Sequence, residues 1–141
     1  MFQTVVVGTD GSATATVAVM QAAELVKDSG GTLHIVSAYR RAAARVVQAG
    51  GEQCQIMPED DVDNVLQEAA ARARMAGAKV ETHAVTDDPA DSIIQIADEV
   101  HADLVVVGNK GMQGAKRFLL GSVPSKVAHH APCTVLVVKT T

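Results

Sequence analysis

The sequence predicts a single α/β domain over residues 1–141, with an open, mostly parallel five-stranded sheet and helices on both faces. Strand-like and helix-like segments alternate along the chain, and such alternation gives parallel strands joined by crossover helices. Two strand-like runs are almost continuous Val and Leu, as expected for strands covered on both faces. Hydrophobic residues make up 48% of the chain but aromatic residues only 2%, so we expect a core of Val, Ile, Leu and Ala.

Five runs rich in β-forming residues mark the strands. In chain order they are Thr4–Gly8, Thr32–Ala38, Val80–Val85, Leu104–Gly108 and Thr134–Lys139. The first and fourth, TVVVG and LVVVG, have the continuous apolar character of buried strands. The third, VETHAV, alternates apolar and polar residues, so we expect it at an edge of the sheet with one wetter face.

Apolar residues spaced three and four apart predict four helices between these strands. The first follows Ser12, which can cap it, and ends at Gly30-Gly31. The second stops at Gly77, and the third begins at Asp88-Pro89, a cap followed by proline at the first helical position. The fourth and shortest is Ser122–His130. Residues 40–59 form a long connection without a clear period, and their role stays open.

Composition and charge exclude several classes of function. The net charge of -4 and the pI of about 5.6 argue against a nucleic-acid partner, which normally meets a basic face. The N-terminus lacks a basic region followed by a long apolar run, and no stretch is long enough to span a membrane, so we expect a cytoplasmic protein. Cys54 and Cys133 show no metal or redox spacing. The histidines show no ligand spacing either, and we expect structural or surface roles for them: His34, His83, His101, His129 and His130.

Ligands of open parallel sheets bind beyond the carboxyl ends of the strands. Three loops are therefore candidates: Gly8–Ser12 with Thr9 and Asp10, the loop after Ala38, and the glycine-rich segment 108–122. Glycine allows close approach to a ligand and positive φ angles. Gly121-Ser122 then opens a helix, whose free N–H groups and dipole favour a phosphate. The alternative is a flexible, solvent-facing loop with incidental charge.

Two familiar phosphate motifs are absent from the segment 108–122. No glycine precedes Lys116 and no Ser or Thr follows it, so the Walker pattern GxxxxGK[ST] does not fit. Gly108 and Gly111 are separated by two residues, so GxGxxG does not fit either. The sequence therefore supports neither a Walker NTPase nor a dinucleotide dehydrogenase.

The spacing Gly108-x2-Gly111-x9-Gly121-Ser122 resembles the G-x2-G-x9-G-[S/T] form of the ATP-binding universal stress proteins. The start of the chain, VVVGTDGS, and its end, GSVPSKVAHHAPCTVLVVK, also resemble that family. The resemblance implies a Rossmann-like fold of the adenine nucleotide alpha hydrolase type, with strand order 3-2-1-4-5. It also implies a homodimer built on the last strand.

The resemblance further implies a site for ATP, with Mg²⁺ near Asp10 and the adenine near Ala38. Together with the loop argument, it gives a set of expected nucleotide-binding residues. They are Gly8, Thr9, Asp10, Ala38, Val107, Gly108, Asn109, Lys110, Gly111, Gly121, Ser122 and Val123. A carboxylate beside a triphosphate is useful as a Mg²⁺ ligand or a ribose acceptor. The alternative for Asp10 is that it only caps the helix that follows.

No Ser-His-Asp order or acid–base pair is legible, so catalysis beyond slow ATP hydrolysis is not expected. The leading hypothesis is a nucleotide-dependent stress-response factor that binds ATP. The second is a cyclic AMP-binding protein or sink, because the same slot and phosphate nest suit that ligand. A nucleotide-free interaction module and another enzyme on this fold remain alternatives.

Overall fold

The computed structural model describes residues 2–40, 57–109 and 120–140. The described strands are β1 (Thr4–Gly8), β2 (Thr32–Arg40), β3 (Met57–Pro58), β4 (Lys79–Val85), β5 (Leu104–Gly108) and β6 (Thr134–Val138). The described helices are α1 (Ala13–Lys27), α2 (Glu59–Met75), α3 (Pro89–Glu99) and α4 (Ser122–His130).

The main strands form a parallel sheet in the order β4-β2-β1-β5-β6. These are the five runs recognised in the sequence, so the expected order 3-2-1-4-5 is confirmed. The chain leaves β1 towards β2 on one side and later returns to place β5 on its other side. The order of the strands therefore reverses at β1 and β5, and open α/β sheets generally carry their ligand sites at the carboxyl ends of such strands.

Two cores lie on opposite faces of the sheet because alternate residues of each buried strand point to opposite sides. Val5 and Val7 of β1 pack with residues of α1 and α2. Val6 of β1 packs with Ile93 of α3 and Val127 of α4. All five of these side chains are buried. Because β1 is covered on both faces, it contains almost no polar residue.

Local capping chemistry sets the helix boundaries as expected from the sequence. The Ser12 hydroxyl accepts a hydrogen bond from the Ala15 N–H at 3.2 Å, and the Asp88 carboxylate accepts one from the Asp91 N–H at 2.9 Å. Pro89 occupies the start of α3. Gly77 follows α2 with a φ of 100°, a conformation that favours glycine.

The connection 40–59 differs in part from the sequence interpretation. β2 continues through Tyr39 and Arg40, where it pairs in parallel with Met57 and Pro58. Residues 57–58, expected as loop, are therefore a two-residue strand, and Glu59 already belongs to α2. Residues 41–56 lie outside the described part of the chain. Within the described part, none of the helices is long and apolar enough to cross a membrane.

Candidate functional site

A cleft opens where the carboxyl ends of β1 and β5 meet the first turns of α1 and α4. The empty space within and in front of it is about 440 Å³, with open solvent included. Its walls are Gly8, Thr9, Asp10, Thr14, Ala15, Ala18, Ile93, Val107, Gly108, Val123, Pro124 and Thr140. The cleft lies at the edge of the sheet where open α/β folds generally carry their ligand sites.

The loop from β1 to α1 is held to β2 by hydrogen bonds from Thr9, which is only 2% exposed. The Thr9 N–H donates to the Val36 carbonyl at 2.9 Å, and the Thr9 carbonyl accepts from the Ser37 hydroxyl at 2.7 Å. The Thr9 hydroxyl oxygen accepts from the N–H of Gly11, whose φ is 84°. The loop is therefore fixed before any ligand arrives.

Asp10 lies half-buried in the wall of the cleft. Its Oδ1 accepts a hydrogen bond from the Ser12 N–H at 2.9 Å, while Ser12 itself caps α1. The structure thus gives the capping role to Ser12, and Asp10 shapes the turn that precedes it. Among the described residues, no hydrogen bond reaches the second carboxylate oxygen of Asp10. Among the described residues that line the cleft, Asp10 is the one ionisable group.

Hydrogen bonds of Asn109 connect the end of β5 with the end of β6 and with the start of α4. Its N–H donates to the Val138 carbonyl at 2.9 Å, and its carbonyl accepts from the Gly121 N–H at 3.1 Å. Its side-chain Oδ1 accepts from both the N–H and the hydroxyl of Thr140, at 2.8 and 3.0 Å. Asn109 therefore fixes the end of β5 relative to the end of β6 and to Gly121 at the start of α4.

The first turn of α4 is open at its N-terminus. Gly121 precedes the helix, and no side chain in the described part of the chain caps it. The first intrahelical bond runs from the Ser125 N–H to the Gly121 carbonyl at 3.0 Å, so the N–H groups of Ser122 and Val123 lie ahead of that ladder. Gly121 has a φ of −62°, so the expectation of a positive φ is wrong at this position. Gly11, not singled out for this in the sequence, has one.

Six of the expected nucleotide-binding residues line the cleft: Gly8, Thr9, Asp10, Val107, Gly108 and Val123. Gly121 and Ser122 stand at the start of α4. Ala38 is buried in β2 opposite Val85 and does not line the cleft. Lys110 and Gly111 lie outside the described residues, as do Lys116 and Arg117.

Sequence reasoning missed several lining residues. Thr14 and Ala15 sit in the first turn of α1, and their position next to the loop after β1 was an available signal. Ile93 and Thr140 come from distant parts of the chain, and no local pattern points to them. Ile93 lies so close to Gly8 that a Cβ on Gly8 would stand 2.5 Å from its Cδ1. A side chain at position 8 would therefore require Ile93 of α3 to shift.

Two histidines meet outside this cleft. Nδ1 of His34 on β2 lies 2.9 Å from Nε2 of His83 on β4. Burial lowers the pKa of His34, electrostatic interaction with the nearby His83 lowers it further, and Glu81 opposes these effects.

Comparison with known proteins gives one consistent result. The profile of the Universal stress protein family matches residues 1–139. A universal stress protein of Mycobacterium tuberculosis strain H37Rv is 40% identical over 144 residues, covering 99% of this chain and 98% of that protein. A universal stress protein solved in complex with cAMP has a TM-score of 0.78 and 39% identity, with 99% and 98% of the two chains covered. The universal stress protein of Archaeoglobus fulgidus in complex with dAMP has a TM-score of 0.70 and 27% identity, with 97% and 98% covered.

Proposed function

We propose an adenine-nucleotide-binding function for this chain, which belongs to the universal stress protein family. The observation that carries the proposal is the cleft at the reversal of strand order, with a fixed loop on one side and the uncapped start of α4 on the other. Occupancy of this cleft changes the shape or the partners of the protein, which makes it a nucleotide-dependent regulatory factor in a stress response.

The start of α4 is the proposed phosphate site. In α1 and α3 a side chain already accepts a hydrogen bond from the first turn, through Ser12 and Asp88 respectively. In α4 no described residue accepts a hydrogen bond from the N–H groups of Ser122 and Val123, and the helix dipole adds a positive potential there. The exposed Ser122 hydroxyl supplies a further donor. One phosphate group fits these donors.

ATP with Mg²⁺ is the first candidate ligand. Its additional phosphates need positive charge, and the segment that contains Lys110, Lys116 and Arg117 follows β5 directly. The donor set fits Mg²⁺, because Asp10 offers one carboxylate oxygen beyond its bond to Ser12 and Mg²⁺ commonly takes one or two carboxylates besides phosphate oxygens. Asp10 would hold the ion, and the ion would neutralise phosphate charge.

Cyclic AMP is the second candidate ligand. The solved relative at 39% identity is a complex with cAMP, and the one from Archaeoglobus fulgidus is a complex with dAMP. Each of those ligands carries a single phosphate, which the start of α4 alone can accommodate. Affinity that depends on Mg²⁺ favours ATP, and affinity that is indifferent to Mg²⁺ favours cyclic AMP.

Isothermal titration calorimetry of the full chain with ATP, cyclic AMP and GTP, with and without Mg²⁺, tests the function. We expect saturable 1:1 binding of an adenine nucleotide and little binding of GTP. Gly121→Val should abolish this binding because the side chain would enter the space used by phosphate. Ala128→Val makes the same kind of change at an exposed position of the same helix and should bind normally. Absence of binding by the wild type at millimolar nucleotide, or normal binding by a folded Gly121→Val variant, would contradict the proposal.

A further inference from the structure

The pairing of β2 with β4 collects three metal-ligating side chains on one face of the sheet. His34 lies opposite Glu81, and Val36 lies opposite His83, in the parallel register of these strands. Positions that are paired across strands, or two apart along one strand, share a face. His34, Glu81 and His83 therefore share the face that carries Val36 and packs against α3.

The side chains converge as well as share a face. The facing ring nitrogens of His34 and His83 are 2.9 Å apart, and the ring planes are tilted by 31°. Ligand atoms of His34, Glu81 and His83 all lie within 4.8 Å of one another. With zinc–nitrogen bonds of about 2.0–2.1 Å, two nitrogens on a tetrahedral ion are about 3.3 Å apart. Small side-chain rotations would therefore convert this cluster into a coordination sphere.

We propose that His34, His83 and Glu81 form a binding site for a divalent transition-metal ion of the Zn²⁺ class. Imidazole nitrogens suit Zn²⁺, and a carboxylate oxygen completes a three-ligand set that leaves a fourth position for water. On binding, the proton between the two facing nitrogens moves to the outer nitrogen of the ring that carries it, so both rings stay neutral and both facing lone pairs bind the ion. One carboxylate and two neutral rings then leave the occupied site with a single positive charge.

The three proposed ligands differ in exposure, from a buried His34 to an exposed Glu81. His34 is only 7% exposed and gives a rigid anchor on the second strand of the sheet. His83 is half-buried, and Glu81 is exposed on β4. Among the described strands, β4 pairs only with β2 and is therefore an edge. An ion can reach the ligands from solvent at this edge, and binding would fasten β4 to β2.

The site is separate from the nucleotide cleft. None of His34, Glu81 and His83 is among the described residues that line the cleft. Its ligands are nitrogen-rich, whereas the Mg²⁺ proposed at Asp10 requires oxygen ligands. Zinc binding at the edge and Mg²⁺ binding with ATP can therefore be measured independently.

Titration of the nucleotide-free, tag-free full chain with zinc chloride in phosphate-free buffer tests the proposal. We expect one Zn²⁺ per chain, no competition by millimolar Mg²⁺, and the visible absorption of tetrahedral Co²⁺ when cobalt chloride replaces zinc. His83→Gln removes a direct ligand from a half-buried position and should weaken zinc binding by about 100-fold or more, since loss of outer-sphere partners alone costs 10–100-fold. Glu81→Gln should weaken it to a smaller extent.

Stability provides the second readout. Zn²⁺ binds only the folded arrangement, so it should raise the thermal midpoint of the wild type and leave that of His83→Gln unchanged. It should also slow hydrogen exchange in β4. The matched control is the double variant His129→Gln/His130→Gln, which removes the two exposed histidines at the end of α4 and should bind zinc as the wild type does. Wild-type affinity in His83→Gln, or loss of binding in the double variant, would overturn the proposal.

Discussion

Asp10 combines two tasks that a substitution can separate. Its Oδ1 accepts the Ser12 N–H, and its charge lines the cleft. Asp10→Asn retains an oxygen that can accept this hydrogen bond and removes the charge. We therefore expect Mg²⁺-dependent ATP affinity to fall by about tenfold or more, equivalent to at least 1.4 kcal/mol, with cyclic AMP affinity unchanged. Calorimetric titrations of both proteins with and without Mg²⁺ measure this difference.

Asp10→Ala is the companion variant because it removes both the charge and the acceptor for Ser12. It should weaken ATP more than cyclic AMP, and also cost stability through the lost turn. If ATP affinity is the same for the wild type and Asp10→Asn, with and without Mg²⁺, then Asp10 only shapes the turn and the metal hypothesis is wrong.

Gly30 and Gly31 are adjacent but are glycine for different reasons. A Cβ on Gly31 would overlap the main chain of Gln3, whose carbonyl accepts the Thr32 N–H at 2.8 Å. Gly30 has a φ of 74° and open space around it. We expect Gly31→Ala to lower the free energy of unfolding by about 3 kcal/mol and Gly30→Ala by about 1 kcal/mol, measured by urea denaturation.

Asparagine distinguishes these two causes, because it tolerates positive φ but still has a Cβ. Gly30→Asn should recover much of the stability lost in Gly30→Ala, whereas Gly31→Asn should be as destabilised as Gly31→Ala. Equal costs at both positions would contradict the steric explanation for Gly31.

At the scale of an element, α3 depends on its cap. Asp88 Oδ1 accepts the Asp91 N–H, and Oδ2 lies 3.2 Å from Lys126 Nζ. Asp88→Ala should lower the free energy of unfolding by about 1 kcal/mol. Asp88→Asn keeps a side-chain acceptor for the cap, and an exposed ion pair contributes little, so this variant should lie close to the wild type in urea denaturation. A large loss in Asp88→Asn would show that the ion pair, rather than the cap, stabilises α3.

The same carboxylate gives a pH dependence. Burial raises the pKa of Asp88. Hydrogen bonds with the backbone N–H and the side chain of Asp91, together with the Lys126 ammonium, outweigh this effect, so the pKa lies below its ordinary value. A lowered pKa stabilises the fold above the unfolded value of about 3.9 and loses that effect as the pH falls through the folded value. The charge-dependent part of the stability difference between the wild type and Asp88→Ala should therefore disappear below about pH 4, while the part due to the capping oxygen, which the protonated carboxyl retains, should remain. A difference of unchanged size between pH 7 and pH 2 would contradict this assignment.

The helices and strands that the sequence predicted well are those with local signals. Ser12 and Asp88 cap helices through residues three positions away, so their pattern is visible without tertiary structure. Met57–Pro58 was missed because a two-residue strand has no periodicity, and its pairing with Tyr39 and Arg40 is a tertiary contact. The positive φ expected at Gly121 is absent because this residue precedes α4 in an extended conformation, which any residue can adopt.

For the whole molecule, alternation predicted the fold class but not the order of the strands, since several orders satisfy the same alternation. The order 3-2-1-4-5 came from the family resemblance. The carboxyl-end rule then located the cleft, including Gly8 and Gly108. Ile93 and Thr140 could not be found in this way because their position depends on how α3 and the end of β6 pack. The His34, Glu81 and His83 cluster similarly depends on the register of β2 and β4.

The two edges of the sheet differ in a way that bears on assembly. The β4 edge carries Lys79 and Glu81, and charged side chains protect an edge from pairing. The β6 edge exposes Leu136 and Val137, each 38% exposed, and among the described strands β6 pairs only with β5. No described strand pairs with its second row of backbone N–H and carbonyl groups.

A homodimer through β6 is the arrangement that we predict, because a two-fold axis beside β6 would let each copy cover the apolar edge of the other. Leu136→Lys places a charge on that edge in both copies, so we expect light scattering at micromolar concentration to give a dimeric mass for the wild type and a monomeric mass for the variant. The control is Ala84→Lys, the same charge at an exposed position of β4, which should remain dimeric. Among the described residues, only the β6 edge combines exposed apolar side chains with unpaired strand groups. A monomeric wild type would therefore exclude the predicted dimer, and dissociation caused equally by Ala84→Lys would place the interface elsewhere.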